Sequence, residues 1–282
     1  MTDPTAARRE QVAVLGPFFA FETHAAGTQP AAPWRTLREV AREESGVLRE
    51  RVAAVRASLA ARGGRPAEAV ELRVAASVAH LGLVARVLSP VLGLTALYGP
   101  PPQPPTLDDL RWHSGLGGAF ALSLPRETVT GVAARPSRHG SGAGAGAGND
   151  DGARTAAPAQ DGAAADTEGA RAAEELLDGP VRELTDAVAA FSVSRRVLWG
   201  NVASAVHGAA AGIASAAPAL ARPARTAALL FLHHPRLRDA HTLDDVTGSP
   251  NSRFQRRSCC LIYRAAPDDA GATCGDCVLV RP

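Results

Sequence analysis

Every thiol in this chain lies between Cys259 and Cys277. The pattern is an adjacent pair, Cys259-Cys260, then thirteen intervening residues, then Cys274-Gly275-Asp276-Cys277. Three chemistries compete for such a quartet. A Cys259–Cys260 disulfide would be strained, because neighbouring Cα atoms lie about 3.8 Å apart across a trans peptide, less than the roughly 4.4–6.8 Å that bridges prefer. Bridges between the two pairs fit better, but not in a reducing compartment. Four thiolates can close a tetrahedral zinc site, and Cys-x-x-Cys is a common half of one. The adjacent pair is the awkward half, since successive residues of an extended segment point to opposite sides. A [2Fe–2S] cluster is larger, offers two irons and tolerates several ligand spacings. Geometry therefore ranks iron–sulfur modestly ahead of zinc and leaves both open.

The segment between the pairs supports convergence. "LIYRA" predicts a strand, "PDDAG" a turn and "AT" a return arm, a hairpin that would bring the two pairs together. Gly275 suits a backbone folding tightly around sulfur.

The remainder predicts a mainly α chain with a small β component (α+β): a helical body followed by a short C-terminal cysteine-rich hairpin that holds the cluster. Residues 1–136 form an N-terminal helical/α+β part. Within it, "VAVLGPFFAF" is a strand or buried turn. Apolar residues at Leu37, Val40, Val47, Leu48, Val52, Val55 and Leu59 predict a helix from Trp34 to Ala61. Pro66 suits the first turn of the next helix, and Pro90 the start of another. "LDDLRWHSGLGGAFALSLP" (107–125) predicts a small hairpin. Residues 137–170, almost wholly Gly, Ala, Asp and small polar side chains, are expected to be a disordered Gly/Ala-rich linker or inserted loop, because they cannot bury enough apolar surface to offset their ordering entropy. Residues 171–250 form a helical part packing with the first, with Ser194 as an N-cap and His233 and His234 ending a helix. Residues 251–282 form the cluster-binding segment.

Composition narrows the function. The net charge is only +2, and all thirty basic residues are arginine. No global field draws nucleic acid or an acidic membrane, and no basic stripe or helix-turn-helix is evident. The opening "MTDPTAARREQVAVLG" has no cationic segment leading into a sustained apolar run. "NVASAVHGAAAGIASAAPALA" is too alanine-rich and interrupted for a transmembrane segment. A cytoplasmic location is expected. "GAGAGAG" lacks the Gly-Lys-Ser/Thr of a phosphate loop, and no dinucleotide fingerprint or hydrolase motif is present.

"RRSCCLIYR…CGDCVL" resembles the C-terminal signature of the FhuF-like ferric-siderophore reductases, and "RRVLWGN" (195–201) resembles a helical motif of the family's preceding domain. The spacer between the cysteine pairs is a few residues longer than in that family, which an enlarged "PDDAGA" turn would absorb. The resemblance implies a [2Fe–2S] cluster ligated by Cys259, Cys260, Cys274 and Cys277, with no catalytic residue beyond it. It implies one-electron reduction of Fe(III) held by a siderophore, usually of the hydroxamate type, with release of iron in the cytoplasm. The electron would come from an external donor such as a ferredoxin, a flavin or an NAD(P)H-dependent reductase. Competing readings are a zinc- or cluster-binding structural or redox-sensing protein and a plain electron carrier.

Arginines near the cysteines (Arg253, Arg256, Arg257, Arg264, Arg281) would favour the more negative, reduced cluster by Coulomb attraction. Arg257 and Arg264 are the first candidates for tuning, with Tyr263 beside them. Trp199 and Asn201 are candidates for a substrate pocket, weighed against a tryptophan's usual place in a core. His113, beside Trp112, is a further candidate polar contact, weighed against a satisfied or exposed histidine.

Overall fold

A computed structural model of the chain describes residues 3–113, 118–131, 158–244, 253–265 and 273–279. Helix α1 (Pro4–Ala13) begins where Asp3 accepts the Thr5 amide at 2.9 Å, with Pro4 in its first turn. The following turn buries Leu15, Phe19 and Phe21. Strands β1 (Glu22–His24) and β2 (Arg35–Thr36) come next.

The expected helix over Trp34–Ala61 is broken. Trp34 precedes β2, α2 (Arg38–Ala41) is a single turn, and α3 runs Val47–Arg62. Between them a 3₁₀ turn, Glu43–Ser45, ends at Gly46 with φ +71°, a left-handed conformation that interrupts the helical path. Pro66 precedes a 3₁₀ turn, Ala67–Ala69, not the next helix itself.

Helix α4 (Leu72–Tyr98) is apolar almost all round, as a helix buried on every side must be. It passes through Pro90 without ending, which corrects the expected helix start there. The surrounding Val87–Thr95 turns are all buried, so their packing holds the ladder across the missing donor. Strands β3 (Arg111–His113) and β4 (Ala121–Pro125) pair antiparallel, with Trp112 opposite Leu122, as the predicted hairpin requires. They complete a sheet of order β1-β4-β3-β2 in which β1 and β4 run parallel. Arg86 of α4 ties this sheet to the helices, donating to the carbonyls of Phe120, Phe18 and Ala20. A short helix, α5 (Arg126–Thr130), follows.

The expected linker over 137–170 lies partly outside the described residues. Its last part, residues 158–170, is helical, the opening of α6 (Pro158–Leu176). A π-type turn over Leu177–Val181, kinked at Gly179 before Pro180, leads into α7 (Arg182–Ala189). Helix α8 (Arg195–Ala216) starts where Ser194 Oγ accepts the Val197 amide at 3.3 Å, the predicted cap. Helices α9 (Ala221–Leu232) and α10 (Pro235–Arg238) complete the body. His233 caps the C-terminus of α9, while His234 caps the N-terminus of α10, its ring accepting the Arg236 amide.

One hydrophobic core runs from Val12 to Phe254 and draws on α1, α3, α4, α7, α8 and α9. The central contact is α4 against α8. Gly200, Ala203, Ala205 and Ala209 keep much of the α8 surface low. Both helices are long and apolar enough to cross a membrane, yet most of each is buried inside the fold, as in core helices.

Candidate metal centre

A two-stranded ribbon carries the chain to the cysteines. β5 (His241–Asp244) and β6 (Arg253–Arg256) pair antiparallel, with His241 opposite Arg256. Phe254 stacks on His207 of α8 at 4.3 Å and on His241 at 5.4 Å between ring centroids. Beyond β6 the chain presses onto α8 at Gly200. A Cβ there would come within 2.3 Å of Ser258 Oγ and 3.0 Å of Arg256 Nη2, so only glycine allows this approach. Ser258 Oγ donates to the Arg196 carbonyl at 3.0 Å, and the Arg257 amide donates to Ala240 at 2.9 Å.

The cysteine pairs are shaped by turns. Leu261 has φ +70°, unusual for a side chain of its size, and its amide donates to Cys259 Sγ at 3.3 Å. This left-handed step breaks the extended path immediately after the adjacent pair. Residues Ile262–Ala265 form a 3₁₀ turn, which corrects the strand expected over "LIYRA". Ile262 and Ala265 pack against Leu59, Ala60, Val70 and Val74, so helices α3 and α4 support the turn. The "PDDAGA" segment lies outside the described residues. In the second pair the Cys277 amide donates to the Cys274 carbonyl at 3.1 Å, and the Leu279 amide donates to Cys277 Sγ at 3.4 Å. The Asp276 carbonyl accepts the Arg256 amide at 3.2 Å, and its carboxylate accepts from Ser204 of α8. A cavity of about 230 Å³ opens beside Cys274 and Cys277.

All four thiols are free, and Cys260 Sγ lies 3.5 Å from Cys274 Sγ, so the two pairs meet in space. Burial raises the Cys259 pKa, with Cys260 and Cys277 adding to the effect. Cys260 and Cys274 share a proton: the contact lowers the pKa of Cys260 and raises that of Cys274. Among the described residues, no three His, Cys, Asp or Glu side chains gather around one ion position. Four thiols in two turns, with amides directed at two of the sulfurs, fit the wider two-iron cluster. Cys259, Cys260, Cys274 and Cys277 would hold it.

Behind the pairs lies a buried polar chain. Ser77 Oγ of α4 donates to the Cys260 carbonyl at 2.9 Å. Asn201 Nδ2 donates to the Ser77 carbonyl at 2.9 Å, and Asn201 Oδ1 accepts Arg256 Nη2 at 2.6 Å. His80 joins at 3.5 Å from Asn201 and 3.1 Å from Thr185 Oγ1. Burial, reinforced by Arg256, holds His80 down to about 3, so it is neutral. Arg256 is 1% exposed, and its Nε and Nη1 have no hydrogen-bond partner among the described residues. A buried guanidinium with open donors beside four thiols suits an anionic occupant.

The other expected residues separate. Arg257 is exposed, and Arg264 is exposed and paired with Glu71 at 2.6 Å. Tyr263 is exposed on the 3₁₀ turn. Trp199 belongs to the core, with the Arg236 guanidinium 5.4 Å over its ring. Asn201 is fully buried under the cysteine segment, where its side chain accepts from Arg256. His113 lies edge-on to Trp34 at 4.4 Å, away from the ribbon on the four-stranded sheet. The Arg253 side chain and Arg281 lie outside what the structure describes. Sequence reasoning ranked Arg257 above Arg256 and missed Ser77, His80 and Gly200. Alternation could have corrected the first: Phe254 and Arg256 share a strand face, so an inward Phe254 implies an inward Arg256.

Residues 256–279 match the family model for the FhuF 2Fe-2S C-terminal domain. That span contains all four cysteines and Arg256, and its description names the cofactor that the donor set fits. No curated protein and no solved structure matches the chain. The C-terminal segment, residues 256–279, is therefore similar to the FhuF 2Fe-2S C-terminal domain, a [2Fe–2S] segment.

Proposed function

We propose that this protein is a one-electron reductase of Fe(III) held by a siderophore, working in the cytoplasm. The observation that carries the reading is the FhuF 2Fe-2S domain at residues 256–279, seated on a helical body far larger than electron carriage alone needs. Hard oxygen donors bind Fe(III) much more tightly than Fe(II), so one electron turns an inert complex into a labile one. No bond in the chelator need be cut.

Held by Cys259, Cys260, Cys274 and Cys277, a [2Fe–2S] cluster would supply the single electron, drawn from an external donor such as a reduced ferredoxin, a flavin or an NAD(P)H-dependent reductase. The protein's own contribution is placement and charge. Gly200 lets the cysteine segment lie against α8, and Ser77 fixes the Cys260 carbonyl. Arg256 holds a positive charge beside the ligands. Leu261 and Leu279 direct amides at the sulfurs, which favours their negative charge.

The test is to purify the protein without oxygen and quantify iron, sulfide and zinc. Ferrous-trap assays then follow with a chemical reductant and several ferric siderophores. We expect about two irons and two sulfides per chain and trapped Fe(II) that depends on the protein. Cys260→Ser should abolish both. Stoichiometric zinc in a colourless protein, or a cluster that reduces no ferric chelate, would overturn the reading.

A further inference from the structure

A roomy cleft lies beside the cysteine turn. It has a volume of about 690 Å³ and runs along α3 between the four-stranded sheet and the 3₁₀ turn that follows the first cysteine pair. Ile262 forms part of its wall, and Trp112 of β3 part of the opposite side. Two residues of chain span at most about 7 Å, so the wall at Ile262 lies within that distance of Cys260 along the backbone. The volume falls in the range of small-molecule sites, roughly 300–1,000 Å³.

The charge of the lining is one-sided. Arg35, Arg51 and Arg62 face one acid, Glu50. Arg35 lies 5.0 Å over the Trp112 ring and shares its charge with Glu39. Arg51 lies 5.5 Å over the Phe120 ring but pairs with no carboxylate among the described residues. It is 5% exposed, and its Nε and Nη1 are buried without a hydrogen-bond partner among the described residues. Gly82 leaves room for it: a Cβ there would stand 3.0 Å from Arg51 Nη2. Burial lowers Arg51 to about 10, so it stays charged at neutral pH. A buried cation with two open donors is expensive unless something anionic meets it.

We propose that this cleft binds the ferric chelate, and that it selects complexes with net negative charge, such as those of catecholate or α-hydroxycarboxylate chelators. Three hydroxamates neutralise ferric ion and give a guanidinium lining little to hold, whereas three catecholates leave the complex anionic. The inference rests on the reductase reading for its purpose but not for its test, and it departs from the hydroxamate substrate that the resemblance implied.

Gallium(III) complexes mimic ferric ones in size and charge and do not accept the electron, so binding is measured apart from reduction. Holoprotein is titrated with the gallium(III) complex of a hexadentate tris-catecholate and, separately, of a hexadentate trihydroxamate. The catecholate complex should bind at least about tenfold more tightly. Arg62→Glu, at an exposed position that leaves the core untouched, should weaken it about tenfold without changing the cluster's absorption. Arg51→Gln should weaken it at least as much. Equal or tighter binding of the trihydroxamate overturns the proposal, as does an Arg62→Glu protein with unaltered affinity for the catecholate. Chelate binding without turnover of the ferric form would sink only the reductase reading.

Discussion

Arg256 Nη2 donates to Asn201 Oδ1 at 2.6 Å, and neither side chain is more than 1% exposed. The pair locks a guanidinium from the cysteine segment onto α8, and among the described residues no carboxylate forms an ion pair with it. Reducing the cluster adds negative charge, so this cation should raise the midpoint potential. A nearby unit charge in an effective dielectric of about 20 contributes on the order of 1 kcal/mol or more, roughly tens of millivolts for one electron. Arg256→Met is expected to lower the potential by that order while two irons per chain are retained. Redox titration of the cluster's absorption checks it, and an unchanged potential would remove the role.

Arg264 makes the contrasting case. It is exposed and paired with Glu71, whose carboxyl lies below its usual range because Arg73 and then Arg264 stabilise the anion. An exposed, compensated charge is screened by solvent and salt. Arg264→Ala should therefore shift the potential far less than Arg256→Met in the same titration. A shift as large as that of Arg256→Met would return Arg264 to the tuning role that its sequence position suggested.

Gly200 is where the cysteine segment touches α8. Gly200→Ala places a Cβ 2.3 Å from Ser258 Oγ, so the segment must move outward. Overpacking of this kind costs about 1–3 kcal/mol. The variant is expected to lose iron faster to a chelator and to unfold at lower denaturant. Adding Ser258→Ala removes the nearest clashing atom and should restore part of both. If the double variant loses iron no more slowly than the single, steric contact is not the cause.

The candidate quartet was legible because thiolate chemistry depends on residue type and spacing, and both are written in Cys259-Cys260 and Cys274-x-x-Cys277. The shape of the segment was not. "LIYRA" has the β-branched and aromatic content of a strand, yet it turns into a 3₁₀ coil because Ile262 and Ala265 pack on α3 and α4, a tertiary contact invisible to propensity. The α4 helix continues through Pro90 for the same reason: buried packing outweighs a missing donor. Which of Arg256 and Arg257 turns inward depends on the register of β6 against α8, and that register is set by Phe254. The arginine cleft could not be read at all, since Arg35, Arg51, Arg62 and Trp112 come together only through the packing of the sheet beside α3.

His80 gives the fold a pH dependence of its own. It is fully buried among Asn201, Thr185 and the nearby Arg256 charge, and its pKa is lowered from 6.5 to about 3. Unfolding exposes the ring, which then takes up a proton below pH 6.5, whereas the folded protein stays unprotonated there until about pH 3. The stabilisation is therefore complete above pH 6.5 and is lost as the pH falls from 6.5 towards 3. Between pH 7 and pH 5 the loss amounts to about 2 kcal/mol for this group. Urea unfolding should show that decline in the wild type and a flatter profile in His80→Gln, whose amide does not titrate. Parallel profiles for the two proteins would mean that the ring is solvated, and that the polar chain from Ser77 to Arg256 is not closed to water.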